Sequence, residues 1–399
     1  MAGTPLGGSM AATREHLKQM DAVASKWAKW KPGVEVLTKV RSVPTIFPQL
    51  DVMLRVGGWP IERFALVHGR SNEGKTVLLH GIGKSFLMGG HFYAYVDAEF
   101  STPADWIRTM LSEFAEHPGF RALRPSNYEE TVDQVREFCT VIGDAKAHGQ
   151  LDSATSGFIV IDSLRKLVPK DMLAKIMKGV EQTEDEPVKG RKANKRNAKR
   201  GVDGAGGRAA MIKAAMNAAW FDEVIPLLAQ TGTAMAVVAR ESENVDAGMW
   251  GEDFHVQGGK SPYYESSVAL RVMRDSWVRE TDEKSPIIGE RHVLEQRKTK
   301  VGAKIASAYV RPRCYFHTSN GALTPPGFDR ARDVIELAVE SDVVTLSGSW
   351  YGFGKKRLGQ GLNKSVVRLT SDPELLAEVE AAARETATKQ QDAQNGGAK

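Results

Sequence analysis

The residues Gly69-Arg70-Ser71-Asn72-Glu73-Gly74-Lys75-Thr76 fit the pattern G-x-x-x-x-G-K-[ST] at every fixed position. The chemistry this spacing serves is phosphate binding. Glycines let successive backbone N–H groups curl around an anion, and the amino end of a following helix adds a favourable dipole. Lys75 is then placed to reach the β- and γ-phosphates of ATP, and the Thr76 hydroxyl to ligate Mg²⁺. A chance glycine-rich turn would share the composition but not the context. The apolar run Phe64–His68 reads as a strand leading in, and Thr76–Leu87 as a helix leading out.

Two further strand-like runs end in carboxylates. Phe158–Ile161 is followed by Asp162-Ser163, and an acid at the carboxyl end of a strand beside such a loop is where a Mg²⁺ ligand belongs. An Asp in that place also serves as an ordinary helix cap. Phe92–Val96 is followed by Asp97-Ala98-Glu99. Glu99 can orient and deprotonate an attacking water if it lies within hydrogen-bond reach, or it can be a solvated strand end. The residues alone leave both readings open.

Positioning these groups needs a sheet whose strand ends lie together. Short β-rich runs at Phe64–His68, Phe92–Val96, Phe158–Ile161 and Met235–Val238 alternate with helical stretches around Thr76–Leu87, Ala104–Glu116, Glu129–Lys146 and Ala209–Ala229. That alternation predicts an α/β fold with a mostly parallel, doubly wound sheet. Ser267–Met273, Arg291–Arg297 and Ser307–Phe316 read as added antiparallel strands. Residues 12–30 show helical periodicity, with Leu17, Met20, Val23, Trp27 and Trp30 near one face, so 1–45 reads as an N-terminal helix and linker. The core then spans 46–325. A small α+β unit follows at 326–386, with helices at Phe328–Val339 and Pro373–Thr386 around the glycine- and aromatic-rich Gly348–Gly361. Residues 387–399 are polar and expected to be disordered.

Two long connections interrupt the pattern. Residues 178–208 have little apolar content: acids cluster at Glu181–Glu186, and bases follow. Lys189, Arg191, Lys192, Lys195, Arg196, Lys199, Arg200 and Arg208 face a single acid, Asp203, between Pro187 and Arg208. Such a run serves as a solvated loop, a targeting signal or a nucleic-acid contact. Residues 241–262 are glycine-rich and irregular. Composition sets outer limits: net charge is a mild +5, and no stretch approaches the roughly 20 apolar residues of a membrane helix. The N-terminus lacks the apolar core of a secretory signal. Cys139 and Cys314 cannot build a disulfide framework, so a reducing, cytoplasmic setting is expected.

These residues resemble the RecA recombinases. The run Val96-Asp97-Ala98-Glu99 after the phosphate loop, then an apolar strand ending Asp162-Ser163, is similar to theirs. So are Leu50-Asp51 with Gly57-Gly58-Trp59-Pro60, Met249-Trp250-Gly251 with Gly258-Gly259, and Lys298-Thr299-Lys300. Gly348-Ser349-Trp350-Tyr351 with Gly359-Gln360-Gly361 is similar to the RecA C-terminal domain, and the likeness runs in order from about residue 44 to residue 386.

The resemblance implies a RecA-like ATPase core with Glu99 as catalytic glutamate, Trp106 stacked on adenine, and Lys298 and Lys300 reaching the ATP of a neighbouring subunit. It implies two DNA-binding loops, about 175–208 and 240–262, with the basic cluster in the first and Trp250, Gly258 and Gly259 in the second. It also implies a filament on single-stranded DNA that pairs with double-stranded DNA, uses ATP and Mg²⁺, and meets single-strand-binding and mediator proteins. No membrane is involved. The family's Asn-Gln pair appears here as Ala239-Arg240, so Arg240 is expected to sense the γ-phosphate. The longer basic loop and the missing acidic tail mark a divergent member, which for a phage protein means the host cytoplasm. A ring-shaped, helicase-like DNA motor shares the core but usually adds a primase-binding or zinc module. A small-molecule kinase would need a lid and an acceptor pocket, and a non-catalytic mediator would be expected to lack Lys75 or Glu99.

Overall fold

The computed structural model describes residues 40–172, 195–243, 254–257, 261–279, 284–302, 313–317 and 327–396, with positions 18, 20, 22, 23, 26 and 174 besides. Met1–Val40 and Arg41–Lys399 are separate units. In the first, residues 18, 20, 22 and 23 are helical and Lys26 is in a turn rather than the expected helix; the other positions of the 12–30 segment lie outside the described residues.

The second unit opens with β1 (Ser42–Val43), α1 (Pro48–Leu54) and β2 (Trp59–Pro60), then enters the main sheet with β3 (Phe64–Gly69). Next come α2 (Lys75–Met88), β4 (Phe92–Asp97), α3 (Ala104–Leu111), β5 (Phe120–Leu123), α4 (Tyr128–Ala147) and β6 (Gly157–Asp162). After these follow α5 (Lys195–Thr231), β7 (Thr233–Glu243), β8 (Phe254–Val256), α6 (Ser261–Glu265), β9 (Val268–Arg279), β10 (Ile287–Thr299), β11 (Arg313–His317) and β12 (Gly327–Phe328). The sheet order is β12-β11-β10-β9-β3-β7-β6-β4-β5, with β8 paired to β7. From β5 to β9 every neighbouring pair is parallel, while β10, β11 and β12 add on antiparallel.

The reason is legible in the strand residues, which alternate between two apolar layers. Ala65, Val67, Tyr93, Tyr95, Phe158 and Val160 pack with Leu78, Ile82 and Phe86 of α2 on one face. Phe64, Val96, Ile159, Ile161, Met235 and Val237 pack with Val135 and Cys139 of α4 and Trp220, Phe221 and Val224 of α5 on the other. Strands buried on both faces are what a parallel sheet requires. The chain returns from β3 to β4 across β7 and β6, so the strand ends near β3 border a crevice at the carboxyl edge.

A smaller unit follows: α7 (Arg330–Glu340), a three-stranded antiparallel sheet of β13 (Val344–Ser347), β14 (Trp350–Phe353) and β15 (Lys356–Gln360), then α8 (Leu362–Thr370) and α9 (Pro373–Gly396). Its core joins Val334, Ile335, Val366, Leu369, Val379 and Ala383 with Val52 of α1.

Three expectations need correction. The helix from Pro373 does not stop at Thr386 but runs to Gly396, because Ala387 is buried in the C-terminal core and Arg55 donates to the Gln391 carbonyl at 3.2 Å. The segment 240–262 is not wholly irregular: β7 continues through Glu243 and folds back against β8, pairing Glu241 with Val256. The first expected loop, 175–208, is helical from Lys195 onward, since α5 starts there.

Candidate active site

A cavity of about 610 Å³ opens at the carboxyl edge of the sheet, lined by Ser71 to Thr76 and by Glu99, Trp106, Asp162 and Arg240. The loop Arg70–Gly74 turns out of β3 and into α2. Gly74 has φ 86°, a left-handed conformation that favours glycine, and a Cβ there would lie 2.4 Å from the His292 ring. That imidazole, buried on β10, donates through Nδ1 to the Glu73 carbonyl at 3.0 Å. The Glu73 carboxylate accepts the backbone N–H of Arg274 on β9. The phosphate loop is thus tied on one side to the β9–β10 hairpin.

Lys75 donates to the Gly69 and Arg70 carbonyls, at 3.1 and 2.5 Å. Burial pulls its pKa down, and the nearby Asp162 carboxylate opposes that shift. Thr76 Oγ1 donates to Asp162 Oδ2 at 2.5 Å. Burial pushes Asp162 up to about 6 against that hydrogen bond, and the Glu99 charge adds to the rise. The Asp162–Thr76 pair therefore joins the end of β6 to the start of α2.

Glu99 follows β4. Its Oε1 accepts from the Ser163 hydroxyl at 2.7 Å, and its Oε2 pairs with the Arg240 guanidinium. Arg240 lies within β7, in register with Gly69 on β3. One residue on, the buried Glu241 carboxylate meets His68 Nδ1 at 2.8 Å and Arg271 Nε at 2.9 Å, which ties β7 to its neighbour β3 and, across it, to β9. Trp106, half-buried on α3, packs with Val77 and Met110 and stands edge-on to His80, ring centroids 6.2 Å apart.

The structure thus gathers Ser71, Asn72, Glu73, Gly74, Lys75, Thr76, Glu99, Trp106, Asp162 and Arg240 around one cavity. Gly69 and Arg70 take part through their carbonyls. Lys298 and Lys300 are elsewhere: Lys298 donates to the Tyr263 and Tyr264 carbonyls at 2.6 and 2.7 Å, and Lys300 to that of Tyr264 at 3.1 Å. Lys189, Arg191, Lys192, Trp250, Gly258 and Gly259 lie outside the described residues. Lys195, Arg196, Lys199, Arg200 and Arg208 fall on the backbone of α5. Ser163, Arg274, Glu290 and His292 escaped the sequence reading. Ser163 stands beside Asp162, but the others reach the site only through the register of β9 on β10, which pairs Arg274 with His292.

The donors fit Mg²⁺. A hydroxyl and a carboxylate offer hard oxygen, and Mg²⁺ is usually held by one or two such side chains together with substrate phosphates. Among the described residues no group of three or more His, Cys, Asp or Glu side chains forms a dedicated metal cage.

A family model described as the RecA C-terminal domain matches residues 332–388. "Protein RecA" of Acholeplasma laidlawii strain PG-8A is 24% identical over 365 residues, covering 91% of this chain and 93% of that protein. "Protein RecA" of Enterococcus faecalis is 25% identical over 91% of this chain and 88% of its own, and that of Salinispora tropica is 26% identical over the same shares. The likeness spans both the core and the C-terminal unit, so at low identity this chain resembles RecA proteins along most of its length.

Proposed function

We propose that the chain is an ATP-driven DNA recombinase that polymerises on single-stranded DNA and pairs it with homologous double-stranded DNA. The observation that carries this reading is the cluster of Lys75, Thr76, Asp162 and Glu99 around one cavity in a chain similar to RecA proteins. Lys75 exchanges its loop carbonyls for phosphate oxygens, and Thr76 and Asp162 hold Mg²⁺, which when bound neutralises charge between the β- and γ-phosphates. Glu99 orients the attacking water and takes its proton. Its present partner, Arg240, is drawn toward the γ-phosphate when ATP enters, which frees the Glu99 carboxylate at the same moment. Trp106 stacks on the base.

Lys298 and Lys300 act on a neighbour's nucleotide, and the basic residues from Lys189 to Arg208, with Trp250, Gly258 and Gly259, contact DNA. Single-strand-binding and mediator proteins are further partners. The reaction belongs in the cytoplasm, or that of the host if a phage encodes the chain. No helix among the described residues is long and apolar enough to cross a membrane.

Electron microscopy of the protein with single-stranded DNA and a non-hydrolysable ATP analogue tests the reading. A helical filament is expected. Closed rings would instead support a helicase-like motor.

A further inference from the structure

We propose that Arg274 is a further phosphate-binding residue, a cation that the same subunit directs at the polyphosphate of its own nucleotide. The inference rests on reading the cavity as a nucleotide site. Strand β9 runs parallel to β3, with Arg271 beside His68, so Arg274, paired with His292 of β10, lies past the last β3 pairing at the level of the phosphate loop. It lines the cavity with Ser71, Asn72 and Glu73. Its backbone N–H is fixed by the Glu73 carboxylate, so the loop and the residue share one anchor.

The side chain is held in place but weakly neutralised. Its guanidinium carbon stands 4.5 Å from the Trp277 ring, a cation–π arrangement that limits its rotation and leaves the guanidinium edge able to bond an anion. Glu290, also on the cavity wall, is 3.9 Å from Arg274 Nη1 but 3.2 Å from His292 Nε2. The other two cations at the cavity have closer partners. Lys75 sits on two carbonyls, and Arg240 is paired with Glu99. An Arg with a planar fork of donors suits phosphate oxygens better than a carboxylate nearly 4 Å away.

The test is MgATP affinity, read with a fluorescent ATP analogue, for wild type, Arg274→Ala and Arg274→Lys. The anchor to Glu73 uses the backbone N–H, which alanine also supplies, so the loop keeps its tie. Arg274→Ala is expected to weaken MgATP binding about tenfold or more, with the unfolding midpoint of the nucleotide-free protein unchanged. Lysine should recover part of the loss because it restores charge without the fork. Wild-type affinity in Arg274→Ala would overturn the proposal, as would an equal loss in the lysine variant, which would mark Arg274 as structural. Wild-type protein that binds no MgATP would instead sink the nucleotide reading itself.

Discussion

At the scale of single residues, Glu99 stands between Ser163 and Arg240 at the cavity wall. Its hydrogen bond from Ser163 at 2.7 Å fixes one carboxylate oxygen, and Arg240 holds the other. Glu99→Gln keeps the shape and removes the base. Hydrolysis should fall by about 10²-fold or more while ATP binding survives, measured as turnover beside nucleotide affinity. Loss of nucleotide binding would make Glu99 structural. Arg240→Gln replaces a full charge by a neutral donor, so the preference for ATP over ADP should drop about tenfold in paired affinity measurements. Asp162 adds a pH signature. Burial lifts its pKa to about 6, so the carboxylate proposed to hold Mg²⁺ is lost on acidification through about 6 rather than near 4. Magnesium-dependent ATP binding should weaken below that pH, and Asp162→Asn should flatten the dependence. The metal-free fold behaves oppositely. A raised native pKa means that the stability Asp162 contributes is present in acid and lost as pH rises through about 6.

At the scale of elements, α5 alters how the basic segment is understood. Lys195, Arg196, Lys199 and Arg200 all fall on the helical backbone of α5 rather than in an irregular loop. Neutralising the four together should weaken DNA binding on every sequence. It should also flatten the salt dependence by up to about 0.7 units of log–log slope for each phosphate on single-stranded DNA that the variant no longer neutralises. An unchanged slope would make the basic segment a solvated insertion. The hairpin of β7 and β8 has a comparable meaning, because Arg240 and the buried Glu241 begin the strand segment that leads out towards residues 244–253. Strand β7 thus carries Arg240 at the cavity and runs on to Glu243.

At the scale of the whole molecule, the C-terminal unit is fastened to the core by ions as well as by apolar packing. Arg384 of α9 reaches Asp51 of α1 at 2.5 Å and Glu380 at 2.7 Å, and Thr45 donates to Asp51 through its backbone and its hydroxyl, both at 2.7 Å. Asp51→Ala leaves a largely buried guanidinium with less compensation. It should cost about 3 kcal/mol in chemical unfolding. A loss near zero would show that Glu380 and the Thr45 carbonyl suffice to hold Arg384. Assembly gives a second test. If Lys298 and Lys300 serve a neighbour, replacing both by Ala should keep weak ATP binding and abolish DNA-stimulated turnover. Mixing that variant with Lys75→Ala subunits should restore part of the activity, since one contributes an intact phosphate loop and the other intact lysines. Normal turnover in the double-lysine variant would refute the shared site.

Local chemistry made the phosphate loop, the strand-end carboxylates and the parallel sheet readable from the residues. Gly74 is needed where φ is positive, and continuous apolar runs such as Phe158–Ile161 are buried on both faces. Order along the chain also carried the family likeness, since it depends on spacing rather than on tertiary packing. What depends on register and packing was hidden. Nothing in the sequence pairs Arg274 with His292, because that match follows from the bulged pairing of β9 with β10. The polar end of the chain looked disordered by composition, yet burial of Ala387 against the C-terminal core extends its helix to Gly396. The Glu99–Arg240 pair joins residues 141 positions apart. Such separation leaves no local signal, and only the order of the strands, which sets β4 and β7 on either side of β6, brings the two side chains together at one edge.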